Sequence, residues 1–137
     1  MNNRYSMGKT IAAARANDKL VIDGVYMNLD DGEKNDSDFL GVCVQGKEMG
    51  FDGKSLIHPK QVELCNTAFS PSEADVLFAS KVVSTYNDIM EEYGEFGVTK
   101  LDGRLVEMLH VDHAKSMLAV WADIERKDAA AAKGWVE

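Results

Sequence analysis

The sequence predicts an α/β fold in which short strands alternate with helices and pair in parallel. Three observations predict it. Leu20-Val21-Ile22 is an apolar run with β-branched residues, bounded by polar signals, which is the pattern of a buried strand. Phe51 to Ile57 is a second short segment that ends apolar, at Leu56 and Ile57. His58-Pro59 cuts it off, because proline has no N–H to donate to a ladder. Around both lie stretches whose apolar residues recur at helical spacing. Alternating strands and helices imply parallel pairing. Two strands do not make a stable parallel sheet alone, since such a sheet needs neighbours on both edges and helices on both faces. The chain is therefore expected to be part of something larger.

Met1 to Asn17 carries Tyr5, Met7, Ile11, Ala12 and Ala14 among polar residues and predicts one amphipathic helix ending near Asn17 or Asp18. The first strand follows and is interrupted by Asp23-Gly24. A carboxylate at the end of a buried strand is either a cap or turn residue or a ligand contact. Asp30 to Ser37 reads as a polar loop with turn chemistry. Its acids lack the regular alternation and closing Glu of a calcium loop. Asp36 or Ser37 is expected to cap a helix over 38–49, with Phe39, Leu40, Cys43 and Val44 along one side and Gly50 closing it.

Pro59 suits the first turn of the next helix, where no donor is needed. That helix runs through Val62, Leu64, Cys65 and Ala68. In Ser70-Pro71-Ser72-Glu73, Ser70 is expected as the cap, Pro71 as the first helical residue and Glu73 as the partner in a capping box. The helix beyond carries Val76, Ala79, Val82, Val83, Tyr86, Ile89, Met90 and Tyr93, an apolar stripe that reads as packing surface. Gly94 to Gly97 breaks it. Asp102-Gly103, between the β-prone runs of Val98 to Glu107, predicts a hairpin. A final helix is expected from about Val111, with Ala114, Met117, Leu118, Trp121 and Ile124 on its buried face and an Ala-rich tail fraying from Asp128.

Composition narrows the function classes. A chain of 137 residues suffices for one ordinary domain, and 45% hydrophobic content is that of a globular protein. A net charge of −8 with no basic stripe argues against nucleic acid as a partner. No run of ~18 apolar residues offers a transmembrane helix, so no membrane partner is expected. Met1 to Thr10 is too polar for a secretory signal. Cys43 and Cys65 lack metal-ligand spacing, and a reduced, cytoplasmic setting follows. His110 and His113 are three apart, but a zinc site needs further ligands and no such motif is present.

The stretch from Gly50 to Gln61 reads Gly-Phe-Asp-Gly-Lys-Ser-Leu-Ile-His-Pro-Lys-Gln. It resembles the Gly-Phe-x-Gly-Lys-x-x-Ile-His-Pro-x-Gln signature of the HpcH/HpaI aldolase/citrate lyase β-subunit family, in particular its malyl-CoA and citramalyl-CoA lyases. Four further segments resemble the same family in the same order: Ala-Arg-Ala-Asn at 14–17, Ile-Asp-Gly-Val-Tyr at 22–26, Phe-Ser-Pro-Ser at 69–72, and Leu-Asp-Gly-Arg-Leu-Val-Glu-x-Leu-His-Val at 101–111. Family members are TIM barrels with a C-terminal extension, and a complete barrel takes ~250 residues. The resemblance therefore implies a C-terminal fragment of a TIM (β/α)8 barrel. Its last two strands and their helices would occupy 1–93, and a hairpin and helix forming a lid extension would occupy 94–137. Roughly the first half of the family pattern has no counterpart.

The same resemblance implies an activity. Family lyases cleave a β-hydroxyacyl-CoA such as malyl-CoA or citramalyl-CoA into an oxo-acid and acetyl-CoA. A Mg²⁺ ion serves as Lewis acid and template, with its ligands upstream of this chain, so no metal ligand is assigned here. Ile57 and His58 match positions that contact CoA, and Pro59 shapes their turn. Asp23, Val25 and Tyr26 match the end of the strand that lines the thioester pocket. His58 taken alone reads as a turn histidine bonding backbone. Glu107 matches the catalytic carboxylate that the extension delivers to a neighbouring subunit's barrel mouth, where many members have Asp; a solvated hairpin Glu is the structural reading. The implied partners are the missing N-terminal barrel half or a partner chain, and further copies in a homo-oligomer. Two other readings stand beside this one. The first is a non-catalytic CoA-binding or oligomerisation module derived from the family. The second is a hydroxy-oxo-acid aldolase, disfavoured by the CoA-type ending with its hairpin and Glu107.

Overall fold

In the structure, a computed structural model that describes residues 3–132, Asp52 joins three segments distant in sequence. Arg15 donates to both of its carboxylate oxygens, at 2.8 and 2.9 Å, and to Gly50 O at 2.8 Å. Asp52 Oδ2 also accepts the Val21 N–H at 2.7 Å. These bonds fasten the end of α1 (Arg4–Arg15) to the elbow after α2 (Glu33–Met49) and to the start of β1 (Ile22–Asp23). The Arg15 guanidinium holds the Asp52 carboxyl below the usual carboxylate range, against the opposing effect of partial burial. Arg15 sits inside the Ala-Arg-Ala-Asn segment, so that segment has a structural job.

Contacts divide the chain into two compact units, Met1–Ser70 and Pro71–Glu137. The first holds α1, β1, α2, β2 (Gly53–Lys54) and α3 (Gln61–Phe69). β1 and β2 pair in parallel, Ile22 opposite Gly53 and Asp23 opposite Lys54. The Asp52 and Ser55 amides extend the pairing by donating to Val21 O and Asp23 O, each at 2.9 Å. Parallel pairing is as expected, but the ladder is shorter than the predicted segments. Each strand has one neighbour, so only the residues that face each other are paired. Nor is Leu20-Val21-Ile22 buried throughout: Val21 is 7% exposed, Leu20 79% and Ile22 53%. A strand turns alternate side chains to opposite faces, and helices cover only one face here. That covered side meets a core of Phe39, Cys43, Cys65 and Ala68, with Tyr26, Leu40, Leu56, Leu64 and Phe69 around it. Burial pushes the Cys43 thiol up to about 11, and the Cys65 thiol upward too. Both cysteines are free.

The expected start of α2 moves. α2 begins at Glu33, so most of the predicted polar loop over 30–37 is helical. Asp36 and Ser37 are inside it and do not cap it. Glu33 and Asp36 instead place negative charge in the first turn, where the helix dipole favours it. Asn35, expected in the loop, is buried and donates to Asp30 O at 2.8 Å. Gly50 closes α2 at φ 104° as anticipated, whereas Val44 is 40% exposed and outside the core.

The second unit holds α4 (Glu73–Tyr93), β3 (Thr99–Leu101), β4 (Arg104–Val106) and α5 (Met108–Ala132). Ser72, not Ser70, caps α4: its Oγ accepts the Asp75 N–H at 3.1 Å and donates to Asp75 Oδ2 at 2.6 Å. Pro71 therefore precedes the cap, and Asp75 takes the reciprocal position assigned to Glu73. Ser70 ends α3 in an extended conformation, which removes it from the next helix. Ala79, Val82, Val106, Val111 and Ala114 form the core, with Phe78, Tyr86, Phe96 and Met117 against it. The stripe on α4 runs out before Tyr93, which is 67% exposed. The hairpin forms as predicted, Thr99 opposite Val106 and Leu101 opposite Arg104, through a turn with φ 47° at Asp102 and 81° at Gly103. α5 starts at Met108, three residues before Val111, and continues past Asp128 to Ala132. Residues 133–137 of the expected fraying tail lie outside the described residues. Packing groups α4 with α5, whereas the family-based division fell after Tyr93.

Asp52 returns to an ordinary carboxylate value, 3.8, when the chain unfolds. Its contribution to stability is therefore complete above that value and is lost as pH falls through the lower folded value. In urea unfolding followed by circular dichroism, the chain is expected to exceed Asp52→Asn in stability at about pH 7, and the gap to close below about 3.8. A gap that ignores pH contradicts the lock.

Candidate functional site

Parallel strands point the same way, so β1 and β2 release their following loops at one end of the first unit. The loop after β1 brings Val25 and Tyr26; the loop after β2 brings Ile57, His58 and Pro59. A single buried side chain joins them. Gln61, 3% exposed, accepts the Ile57 N–H at 3.0 Å through Oε1 and donates to Tyr26 O at 3.2 Å through Nε2. Five of the predicted site residues thus stand on two loops clamped by one amide. Val25 and Ile57 are each 45% exposed. Tyr26 is pinned from both sides. Its ring meets Phe39 with centroids 5.4 Å apart, and its hydroxyl donates to Asn35 Oδ1 at 3.0 Å. Lys60 Nζ donates to the carbonyls of Leu29 and Asp30 and pairs with Asp31 at 3.0 Å, so the β1 loop is also tied from the far side.

Asp23 lies beneath this surface. Its Oδ2 pairs with Lys54 Nζ at 2.7 Å, and the two side chains are 11% and 3% exposed. Oδ1 accepts the Gly24 N–H at 2.8 Å, and Lys54 Nζ donates again to Gly24 O at 2.7 Å. The carboxylate is therefore occupied by a turn bond and a cation directly across the ladder. α2 approaches closely at Gly46, where a Cβ would stand 3.3 Å from Asp23 Oδ2. His58 is exposed, and its Nδ1 accepts the Lys60 N–H at 3.2 Å. This is the turn bond foreseen for it, and it fixes which ring nitrogen faces outward. The His58 and Pro59 carbonyls accept from Gln61 N and Val62 N, each at 3.0 Å, but α3 begins at Gln61 with Lys60 at its cap position, so Pro59 stands in the turn before the helix and not in its first turn as expected.

Glu107 belongs to the second unit. It flanks the first residue of α5, between buried Val106 and buried Val111, with its own side chain exposed. Its carbonyl accepts His110 N at 2.9 Å and Val111 N at 3.3 Å, and its amide donates to His110 Nδ1 at 3.1 Å. Among the described residues no group of three or more His, Cys, Asp or Glu side chains could hold a metal ion.

Sequence reasoning left Lys54, Gln61 and His110 without roles. Lys54 and Gln61 both stand in the Gly50 to Gln61 signature. A lysine opposite a strand-end aspartate, and a glutamine one helix turn after a His-Pro break, were the available signals. For His110 the signal was its position three residues after Glu107, the spacing of a capping box.

Comparison with known proteins places this geometry. No family model matches the chain. It is 40% identical over 113 residues to a (3S)-malyl-CoA thioesterase of Cereibacter sphaeroides, covering 82% of this chain and 38% of that protein. It is 35% identical over 108 residues to citrate lyase subunit beta of Haemophilus influenzae, covering 79% and 35%. The chain thus spans less than two fifths of the curated relatives it matches. Its fold matches part of the protein CitE of Mycobacterium tuberculosis, solved with magnesium, acetoacetate and coenzyme A, with TM-score 0.68 and 23% identity over 85% of this chain and 40% of that one. It also matches a citrate lyase of Burkholderia xenovorans, with TM-score 0.70 and 20% identity over 89% and 36%.

Breaking a buried pair leaves an uncompensated charge, whereas replacing both partners by apolar groups does not. Lys54→Met is expected to cost about 3–5 kcal/mol in urea unfolding, and Asp23→Leu with Lys54→Met to recover most of it. A double variant as unstable as the single one contradicts the pairing. Over the matched residues, the chain belongs to the HpcH/HpaI aldolase/citrate lyase β-subunit family.

Proposed function

We propose that this chain is the C-terminal part of a CoA-ester carbon–carbon lyase. The observation that carries the reading is the clamped pair of loops at the carboxyl ends of two parallel strands, where α/β proteins bind ligands. In this reading β1 and β2 are the last two strands of a TIM barrel, 1–93 is the partial barrel, and 94–137 is the lid extension. The exposed Leu20 and Ile22 support it, because an apolar sheet face left in water marks a contact surface. The strand neighbours would come from an N-terminal barrel half, on this chain's own missing portion or on a partner chain. The complete enzyme would be a cytoplasmic homo-oligomer; the free, buried Cys43 and Cys65 accord with a reducing compartment.

Each residue then has a task. Ile57, His58 and Pro59 form the rim against which CoA lies. Val25 and Tyr26 line the thioester pocket, and Asp23, through Lys54, keeps their strand in register. A β-hydroxyacyl-CoA such as malyl-CoA breaks between its α and β carbons. The hydroxyl proton would pass to a base of the upstream portion, its oxygen becomes the carbonyl of the oxo-acid, and the bond pair passes to the α-carbon. The Glu107 carboxyl gives its proton to that carbon, which makes acetyl-CoA and leaves Glu107 as the carboxylate. Magnesium, which the family implies, does not fit the described residues, which offer no cluster of ligands. Its carboxylates would come from upstream strands, so the chain alone is expected to be inactive.

The likeness to a malyl-CoA thioesterase favours hydrolysis as a second reading, and the products separate the two. This chain is to be incubated with malyl-CoA, magnesium and the N-terminal portion of a relative. Glyoxylate and acetyl-CoA are expected, with kcat at least about a hundredfold lower for Glu107→Gln. Malate and free CoA would establish the thioesterase. Cleavage by this chain alone would refute the division of labour. No turnover together with CoA binding would leave a non-catalytic CoA module.

A further inference from the structure

We propose that His110 is a positioning residue that fixes Glu107 through its backbone. The inference rests on the catalytic role just proposed for Glu107, but its geometry stands independently. Glu107 flanks α5, a place where backbone N–H groups lack helical partners and the chain can fray. The Glu107 carbonyl is engaged by His110 N at 2.9 Å and Val111 N at 3.3 Å. Its amide is engaged by His110 Nδ1 at 3.1 Å. One residue therefore holds both backbone polar groups of Glu107, and Val106 and Val111, 2% and 0% exposed, anchor the chain on either side. This is the reciprocal half of a capping box, with imidazole in place of the Glu or Gln that usually reaches back from that position.

The chemistry sets a condition. Nδ1 accepts a hydrogen bond only when it carries no proton, so His110 must be the neutral tautomer protonated at Nε2. His110 also lines a pocket of about 110 Å³ with Phe78, Val82, His113 and Met117. Glu107 itself is exposed, so its backbone is the part that the structure holds in place. A catalytic group displaced by about 1 Å loses on the order of a hundredfold in rate, and the His110 bond is what stops the displacement.

The test uses the full chain. Long-range ¹H–¹⁵N correlation at about pH 8 is expected to find His110 as the Nε2–H tautomer. Hydrogen exchange at the Glu107 amide is expected to quicken roughly fivefold to tenfold in His110→Leu and to return towards the original rate in His110→Gln, which restores an acceptor at the same position. With the upstream half supplied, His110→Leu should lower kcat with KM little changed, and His110→Gln should recover it. An Nδ1–H tautomer, or a Glu107 amide indifferent to His110→Leu, overturns the proposal. An active parent enzyme that tolerates His110→Leu in kcat also overturns it. An inactive parent sinks the lyase reading instead, and the tautomer and amide rates still decide whether His110 holds Glu107.

Discussion

The buried ion pair between Asp23 and Lys54 is the constraint on which the first unit turns. The two residues face each other across the shortest possible parallel ladder, and their side chains meet at 2.7 Å beneath the loops that follow. A pair this deep is costly to desolvate and gains little net stability over an apolar replacement. What it offers is register. A slip of one residue would send each side chain to the opposite face of the sheet, leaving the carboxylate without its cation. Gln61 then reads that register outward, because its amide spans from Tyr26 O to Ile57 N only when both strands end level. Arg15 and Asp52 perform the same service at the other end of the strands.

The second unit uses local rather than buried polar chemistry. Ser72 and Asp75 cap α4 reciprocally, and His110 caps α5 from inside its first turn. Between them the two-residue turn of the hairpin sets Val106 into the core. Glu107 is thus placed by its neighbours on both sides, although its own side chain touches water. In the proposed enzyme, this unit would supply the carboxylate.

Most elements were legible because their signals are local. Gly50 as a helix end, Asp102-Gly103 as a turn and the 3–4 spacing through α4 depend on few distant contacts. The start of α2 was misread because the acids of 30–37 carry turn chemistry in isolation, whereas Asn35 is drawn into the interior by Tyr26 and Asp30. Ser70 and Ser72 compete as caps two residues apart, and the extended end of α3 decides between them. The family likeness was readable from the signature itself. The roles of Lys54, Gln61 and His110 were not, because each depends on a partner brought close only by the fold. Alternation in β1 was hidden for the opposite reason: Leu20, Val21 and Ile22 are all apolar, yet only Val21 has a covered face.

The central claim is that this short parallel ladder is held in register while it awaits further strands. Hydrogen–deuterium exchange tests it most directly, with the chain alone and with the N-terminal portion of a relative added. Alone, the Asp52 and Ser55 amides, which donate across the ladder, should exchange slowly. On addition, protection should spread through residues 19–27 and 51–58. Protection unchanged by the added portion, or Asp52 and Ser55 amides exchanging as fast as in an unfolded chain, would contradict the account.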